Sequence, residues 1–190
     1  MAQFDDQSVW VYQAFRPDIA AEAVAEGRFG AGFKRTRMSW IKPNFLWMMF
    51  RAGWATKTDQ EAVLALRLRR SFFDEVLAAA VHSTFEPHVY TDREAWADAV
   101  KRSSVRLQWD PDHGPGGQPV SRRAIQLGLA GDVVRRYADD ELLEVVDITP
   151  QVREQRRALD TQGTSALVTP REEVYPVTDL ATASRLRVDG

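Results

Sequence analysis

The segment RMSWIKPNFLWMMFRAGW, from Arg37 to Trp54, combines cations with large aromatic side chains and contains no acidic residue. It lies within residues 27–58, which hold seven Lys and Arg and no Asp or Glu, although the whole chain has a net charge of −2. A compact cationic segment on an otherwise acidic protein indicates a local anionic partner. Cations beside aromatic rings suit a nucleotide or an unpaired base, because the rings stack on the base and the cations pair with phosphate.

Two of these cations, Arg37 and Lys42, precede a predicted helix at residues 43–52. The peptide dipoles make a helix start positive, which disfavours cations there unless an anion is bound as well. Ser39 and Asn44 add short hydrogen-bonding groups at the same place. We therefore predict that these four side chains hold a phosphate-bearing ligand, although cations that simply point into solvent would give the same pattern.

Aromatic and amide side chains near this segment could complete a binding pocket. Tyr12 and Trp40 could stack on a ligand, and Gln13 and Gln126 lie on predicted strands. Single glutamines on strands are most often satisfied core amides. Facing a cleft as a pair, however, they could recognise a base or a carboxamide.

Asp110, beside Trp109 at the end of a predicted strand, is the best candidate for an acid or base, although capping of a turn would also explain it. Arg123 could reach the same pocket as Arg37 or pair with acidic helices. The three histidines lack metal-ligand spacing, so we predict no metal site. The absence of cysteine excludes disulfides and thiolate nucleophiles.

The order of predicted elements gives the fold class. Strands and helices alternate irregularly, which predicts an α+β domain with a single mixed, strongly twisted sheet and flanking helices. This domain is predicted to span residues 1–160. Residues 161–190 are polar and lack a sustained period, which predicts a loosely packed or disordered tail. The predicted strands are 8–15, 37–41, 61–68, 104–110, 123–129 and 142–149, and the predicted helices are 17–26, 43–52, 71–81, 91–103, 131–139 and 150–159.

The chain shows no sign of export or membrane insertion. Its apolar runs are much shorter than the roughly 20 residues that cross a bilayer. The start, MAQFDDQSVW, has two aspartates and no basic apolar leader, which argues against a signal peptide. A cytoplasmic protein with no membrane partner is therefore predicted.

Four stretches, VYQAF, KRTRMSWIKPNFLWMMFRAGWATK, VRLQWDPD and RAIQLGL, occur in an order and spacing that resemble the bacterial and fungal family designated domain of unknown function 4291. This resemblance covers roughly residues 8–157, and the designation implies no activity. In the order of its elements, the chain more weakly resembles ADP-ribosyltransferase-like folds, which bind NAD. It departs from them in having Tyr12-Gln13-Ala14 where His or Arg is common, and Gln126 where many have a glutamate.

The second resemblance implies an enzyme that uses NAD and transfers ADP-ribose to a nucleic acid or protein acceptor. Arg37 and Lys42 would bind the pyrophosphate, Trp40 and Tyr12 would flank the nicotinamide riboside, and Gln126 would orient the acceptor. Such a transfer depends more on clamping and stacking than on a strong base. Two alternatives stay open: a non-catalytic domain that binds RNA or single-stranded nucleic acid, and a nuclease or phosphotransfer enzyme that holds a phosphate with the same cations.

Overall fold

The computed structural model describes residues 1–188, and within them strands and helices alternate irregularly. The α+β class predicted from the sequence is confirmed. The strands are β1 (Ser8–Phe15), β2 (Ser39–Ile41), β3 (Ala62–Arg69), β4 (Val81–His82), β5 (Val105–His113), β6 (Pro119–Leu129) and β7 (Leu142–Asp147). The helices are α1 (Pro17–Glu26), α2 (Phe45–Ala52), α3 (Arg70–Ala79), α4 (Arg93–Arg102), α5 (Gly131–Asp139), α6 (Thr149–Gln162) and α7 (Leu180–Leu186), with a 3-10 helix at Thr164–Ala166.

The strands form two sheets and not the single sheet that was predicted. A three-stranded antiparallel sheet has the order β1-β3-β7. A four-stranded sheet has the order β2-β6-β5-β4, in which only the β4–β5 pair is parallel. An isolated antiparallel bridge between Tyr12 and Lys42 connects β1 to the end of β2, so the edges of the two sheets meet there.

One large core lies against a face of each sheet. On the three-stranded sheet, alternate residues such as Val11 and Leu66 are fully buried in it. On the four-stranded sheet, Leu107 and Leu127 contribute in the same way. Side chains alternate between the two faces of a strand, so the residues in between must point away from this core.

The other face of the three-stranded sheet is covered by α2 and α6 in a second core. Phe45, Met48 and Met49 of α2 are buried there, as expected for a helix that is apolar on nearly every side. Phe50 is the exception, since it is exposed and stacks on His113 with ring centroids 3.6 Å apart. Gly53 ends α2 in the left-handed conformation that favours glycine, with φ of 59°.

Parts of residues 161–188 pack against the domain, where the sequence predicted a loosely attached tail; residues 189 and 190 lie outside the described residues. Tyr175 and Leu186 are buried members of the large core. The carbonyl of Leu186 accepts a hydrogen bond from the indole of Trp109 at 2.9 Å. The prediction was wrong because a few well-spaced apolar residues are enough to dock a short segment, even when its sequence shows no sustained period.

No helix within residues 1–188 is both long enough and apolar enough to cross a membrane.

Candidate functional site

The main-chain carbonyl of Trp40 is a junction between β1 and β2. The Gln13 amide donates to this oxygen at 2.7 Å and to the Ser39 hydroxyl at 2.9 Å. The Lys42 amine donates to the same carbonyl at 3.3 Å. Behind Gln13, the buried hydroxyl of Tyr137 donates to the Gln13 amide oxygen at 2.5 Å. The side chain of Gln13 is therefore held rigidly beside Lys42.

On one side of this junction lies a cavity of about 330 Å³, which we call the cationic cavity. Its lining includes three cations and a single acid. It also includes the hydrogen-bonding groups of the junction and two phenylalanines. The lining residues are Gln13, Ala14, Phe15, Arg16, Ile19, Gly32, Phe33, Lys34, Arg37, Met38, Ser39 and Asp59.

Two cations of this cavity have no carboxylate partner. Neither Lys34 nor Arg37 forms an ion pair within residues 1–188, and both are exposed. Arg35, between them, behaves differently because it pairs with Asp139 at 2.5 Å and donates to main-chain carbonyls. Arg16 pairs with Asp18 at 2.6 Å at the surface. Lys34 and Arg37 are therefore free to bind an external anion.

The polar face of the four-stranded sheet lies next to the same junction and carries Trp40, Gln108, Asp110 and Gln126. The two glutamine amides each donate to a different oxygen of Asp110, at 2.8 and 2.7 Å. Trp40 packs directly over Gly128 of β6, where a Cβ atom would lie only 3.0 Å from the indole ring. Glycine at this position lets Trp40 lie flat on the sheet.

Lys42 is buried close to this polar face. Only 6% of the residue is exposed, and its amine lies 5.3 Å from the centroid of the Trp47 ring. Burial, assisted by the positive charge of Arg51 and opposed by Asp110, lowers the pKa of Lys42 to about 8. At a pH near this pKa part of the lysine is neutral, and a neutral lysine amine can act as a base or a nucleophile.

A carboxyl group does occupy the start of α2, but it belongs to the protein itself. One Glu172 oxygen accepts from the Phe45 N–H at 2.6 Å, and the other accepts from the Asn44 amide at 3.1 Å. The side-chain oxygen Oδ1 of Asn44 accepts from the Trp47 N–H and caps the helix. The N–H groups at the helix start are therefore bonded within the protein, and Asn44 is a structural cap and not a ligand-binding residue in this arrangement.

The structure divides the predicted site residues into separate groups. Gln13, Ser39 and Arg37 line the cationic cavity, as the prediction of one pocket requires. Tyr12 does not line it, because neighbours on a strand point to opposite faces. Tyr12 instead packs edge-on against Phe45 in the second core, with ring centroids 5.5 Å apart.

The residues given catalytic roles are divided in the same way. Asp110 and Gln126 lie together on the polar face with Trp40, and Lys42 is buried beside them. Arg123 lies on the opposite face of β6, 4.7 Å from the Trp109 ring. None of these residues lines the cationic cavity itself.

The sequence-based prediction of the site omitted three charged residues of the cavity and the carboxyl group that bonds to the start of α2. Lys34 belongs to the cationic segment and could have been included on its charge alone. Arg16 directly follows β1, and its position at the end of a strand is a sequence signal that could have included it. Asp59 and Glu172 gave no local signal, since only the fold brings them near the site.

The fold and the site define an α+β protein in which two sheets share a core and a cationic cavity opens where their edges meet. The chain belongs to the family described as domain of unknown function (DUF4291), whose family model matches residues 1–175. The match extends beyond the expected residues 8–157 and includes Glu172, so the segment that closes the start of α2 belongs to the family domain. No protein with curated annotation matches the chain significantly.

Proposed function

We propose that this protein binds a phosphate-bearing nucleotide in the cationic cavity. The observation that carries the proposal is the presence of Lys34 and Arg37, which form no ion pair within residues 1–188, on the wall of a cavity that Gln13 and Ser39 also line. Its volume of about 330 Å³ is within the range of small-ligand sites, which begins at roughly 300 Å³.

The charged and the aromatic side chains that line the cationic cavity would have different roles. Lys34 and Arg37 would bind phosphate, because hydrogen bonds between charged groups are stronger than those between neutral ones. Phe33 and Phe15 form an apolar wall that suits a base or a ribose. Asp59, the single acid, is available to accept from a sugar hydroxyl or a base amine.

NAD is the narrower form of the proposal, with transfer of ADP-ribose as the reaction, as the resemblance to ADP-ribosyltransferase-like folds implies. It is supported by the contact of Gln13, which lines the cavity, and Lys42 with one carbonyl, and by Asp110, which is close enough to Lys42 to influence its pKa. In this reaction the bond between nicotinamide and ribose breaks, and an acceptor forms a bond to the ribose carbon. Asp110 would take the proton of the acceptor, and Gln126 would hold Asp110 in position.

The proposal is tested by calorimetric titration with ADP, NAD, adenosine and inorganic phosphate. We expect ADP and NAD to bind and adenosine to bind at least tenfold more weakly, since it lacks the phosphates. Arg37→Ala should weaken ADP binding by about tenfold or more, as expected for loss of a hydrogen bond to a charged group. Arg102→Ala, which removes an exposed arginine outside the cavity, is the matched control and should leave the affinity unchanged.

Each outcome distinguishes between the forms of the proposal. Equal affinities for ADP and adenosine, or an Arg37→Ala variant that binds like wild type, would contradict nucleotide binding in this cavity. NAD that binds without transfer of labelled ADP-ribose to protein or RNA would contradict the transferase form alone. An RNA oligonucleotide that binds more tightly than ADP and weakens steeply with salt would favour the nucleic-acid binder.

A further inference from the structure

A second cavity, of about 460 Å³, lies between the three-stranded sheet and α6, and we call it the apolar cavity. It has no charged lining residue and shares none with the cationic cavity. Aromatic and aliphatic side chains form most of its wall, and three glutamines lie among them. The lining residues are Gln3, Trp10, Tyr12, Phe45, Ala65, Val146, Ile148, Gln151, Val152, Gln155, Val168, Thr169 and Pro170.

Tyr12 is the buried polar group of this cavity, with 2% of the residue exposed. Its hydroxyl makes no hydrogen bond within residues 1–188, whereas the hydroxyls of the other three tyrosines do. Tyr137 donates to Gln13, Tyr175 donates to Asp74, and Tyr90 accepts from the His82 N–H. The oxygen of this hydroxyl is not sealed inside the core, so the group can donate a hydrogen bond to a molecule that enters the cavity.

We propose that the apolar cavity binds an uncharged, planar aromatic molecule that carries a hydrogen-bond acceptor. Trp10, Tyr12 and Phe45 supply three aromatic walls, and the Tyr12 hydroxyl supplies the donor. The side-chain oxygen Oε1 of Gln155 accepts from the Val168 N–H at 2.7 Å, which fixes the outer wall. The amide nitrogen of Gln155 keeps its donors for the ligand.

The electrostatics of the cavity argue against a charged ligand. A buried charge needs a counter-ion, and the lining provides none. Glu172 lies close enough to Tyr12 to help raise the pKa of its phenol, which burial raises more strongly. When Glu172 is ionised, its negative charge would repel an anionic ligand in addition to the cost of burying that ligand.

A matched pair of two-ring probes tests the proposal on the whole chain. 2-Naphthamide is uncharged and has a carbonyl acceptor, and 2-naphthoate has nearly the same shape with a negative charge. We expect amide resonances of residues that line the apolar cavity to shift in NMR titrations with the naphthamide and not with the naphthoate. Tyr12→Phe should weaken naphthamide binding by about three- to tenfold, the effect of one neutral hydrogen bond.

Tyr175→Phe is the control variant, because its hydroxyl is bonded to Asp74 and does not line the cavity. It should bind the naphthamide like wild type. Equal binding of the two probes, or no shifts in the cavity with the naphthamide, would overturn the proposal. A Tyr12→Phe variant that binds like wild type would overturn the role of the hydroxyl, and the comparison of probes does not depend on that variant.

Discussion

Lys42 is a cation placed where charge is costly. Its amine donates only to the Trp40 carbonyl within residues 1–188, and no carboxylate forms an ion pair with it there. Burial of such a group normally lowers stability, and strongly perturbed groups are concentrated at functional sites. Lys42 donates to the same Trp40 carbonyl as Gln13, which lines the cationic cavity, and this position agrees with that tendency.

Replacing Lys42 with an apolar side chain should therefore stabilise the protein at neutral pH. The pKa of about 8 in the folded state is below the ordinary 10.5, so stability from this group is present above 10.5 and is lost as the pH falls through 8. Lys42→Met should raise the free energy of unfolding by about 1–3 kcal/mol at neutral pH and by much less near the ordinary lysine pKa. Urea denaturation measures both values.

Lys101→Met is the matched control, because this lysine is well exposed and pairs with Asp98 at the surface. It should change the free energy of unfolding by less than about 1 kcal/mol. A Lys42→Met variant that is destabilised equally at both pH values would contradict the cost assigned to the buried charge.

At the scale of elements, helix α2 depends on a carboxylate that is distant in sequence. Glu172 bonds to the N–H of Phe45, which is 127 residues away. Burial raises the pKa of Glu172 to about 7, although the hydrogen bond from Phe45 lowers it. The protonation of this group therefore changes near neutral pH, and the start of α2 changes charge with it.

Stability should consequently fall as Glu172 ionises. Its folded pKa of about 7 is above the ordinary 4.5, so the stability it contributes is fully present below 4.5 and is lost as the pH rises through 7. Glu172→Gln keeps an acceptor for the Phe45 N–H and cannot ionise, so melting temperatures measured across this window should decline less than in wild type. Glu173→Gln, at the exposed neighbouring position, should keep the wild-type decline. Equal declines for both variants would contradict this assignment.

The sequence predicted most elements because their signals are local. Pro17 and Gly27 mark the limits of α1, and the alternation of apolar residues marks β1 with its observed bounds, residues 8–15. The split into two sheets could not be predicted, since it depends on which strands pair. The short α7 lacks a strong periodic signal, and tertiary contacts stabilise such elements.

The candidate site was predicted only in part, because sequence signals for binding residues are local as well. Charge and composition pointed to Arg37 and to the junction residues Gln13 and Ser39, which do line one cavity. Tyr12 and Trp40 were placed in the same pocket as their sequence neighbours, although alternation on a strand sends neighbouring side chains to opposite faces. Side chains on a strand alternate with a period of two residues, and this rule separates Tyr12 from Gln13 and Trp40 from Ser39.

At the scale of the whole molecule, the C-terminal segment connects the two cores. Glu172 closes the start of α2 in the second core, and Tyr175 and Leu186 lie in the large core. Pro170 and its neighbours form a wall of the apolar cavity. This segment therefore supports both the fold and a proposed binding site.

Helix α7 provides a direct test of this role, because it carries one buried and one exposed leucine. Leu186 is completely buried, while Leu180 is 83% exposed. Leu186→Ala should lower the free energy of unfolding by about 2–5 kcal/mol, since it opens a cavity in the large core. Leu180→Ala should change it by less than about 0.5 kcal/mol, as is usual at the surface. If denaturation curves show the same small effect for both variants, the segment is loosely attached, and its contacts with the two cores do not stabilise the domain.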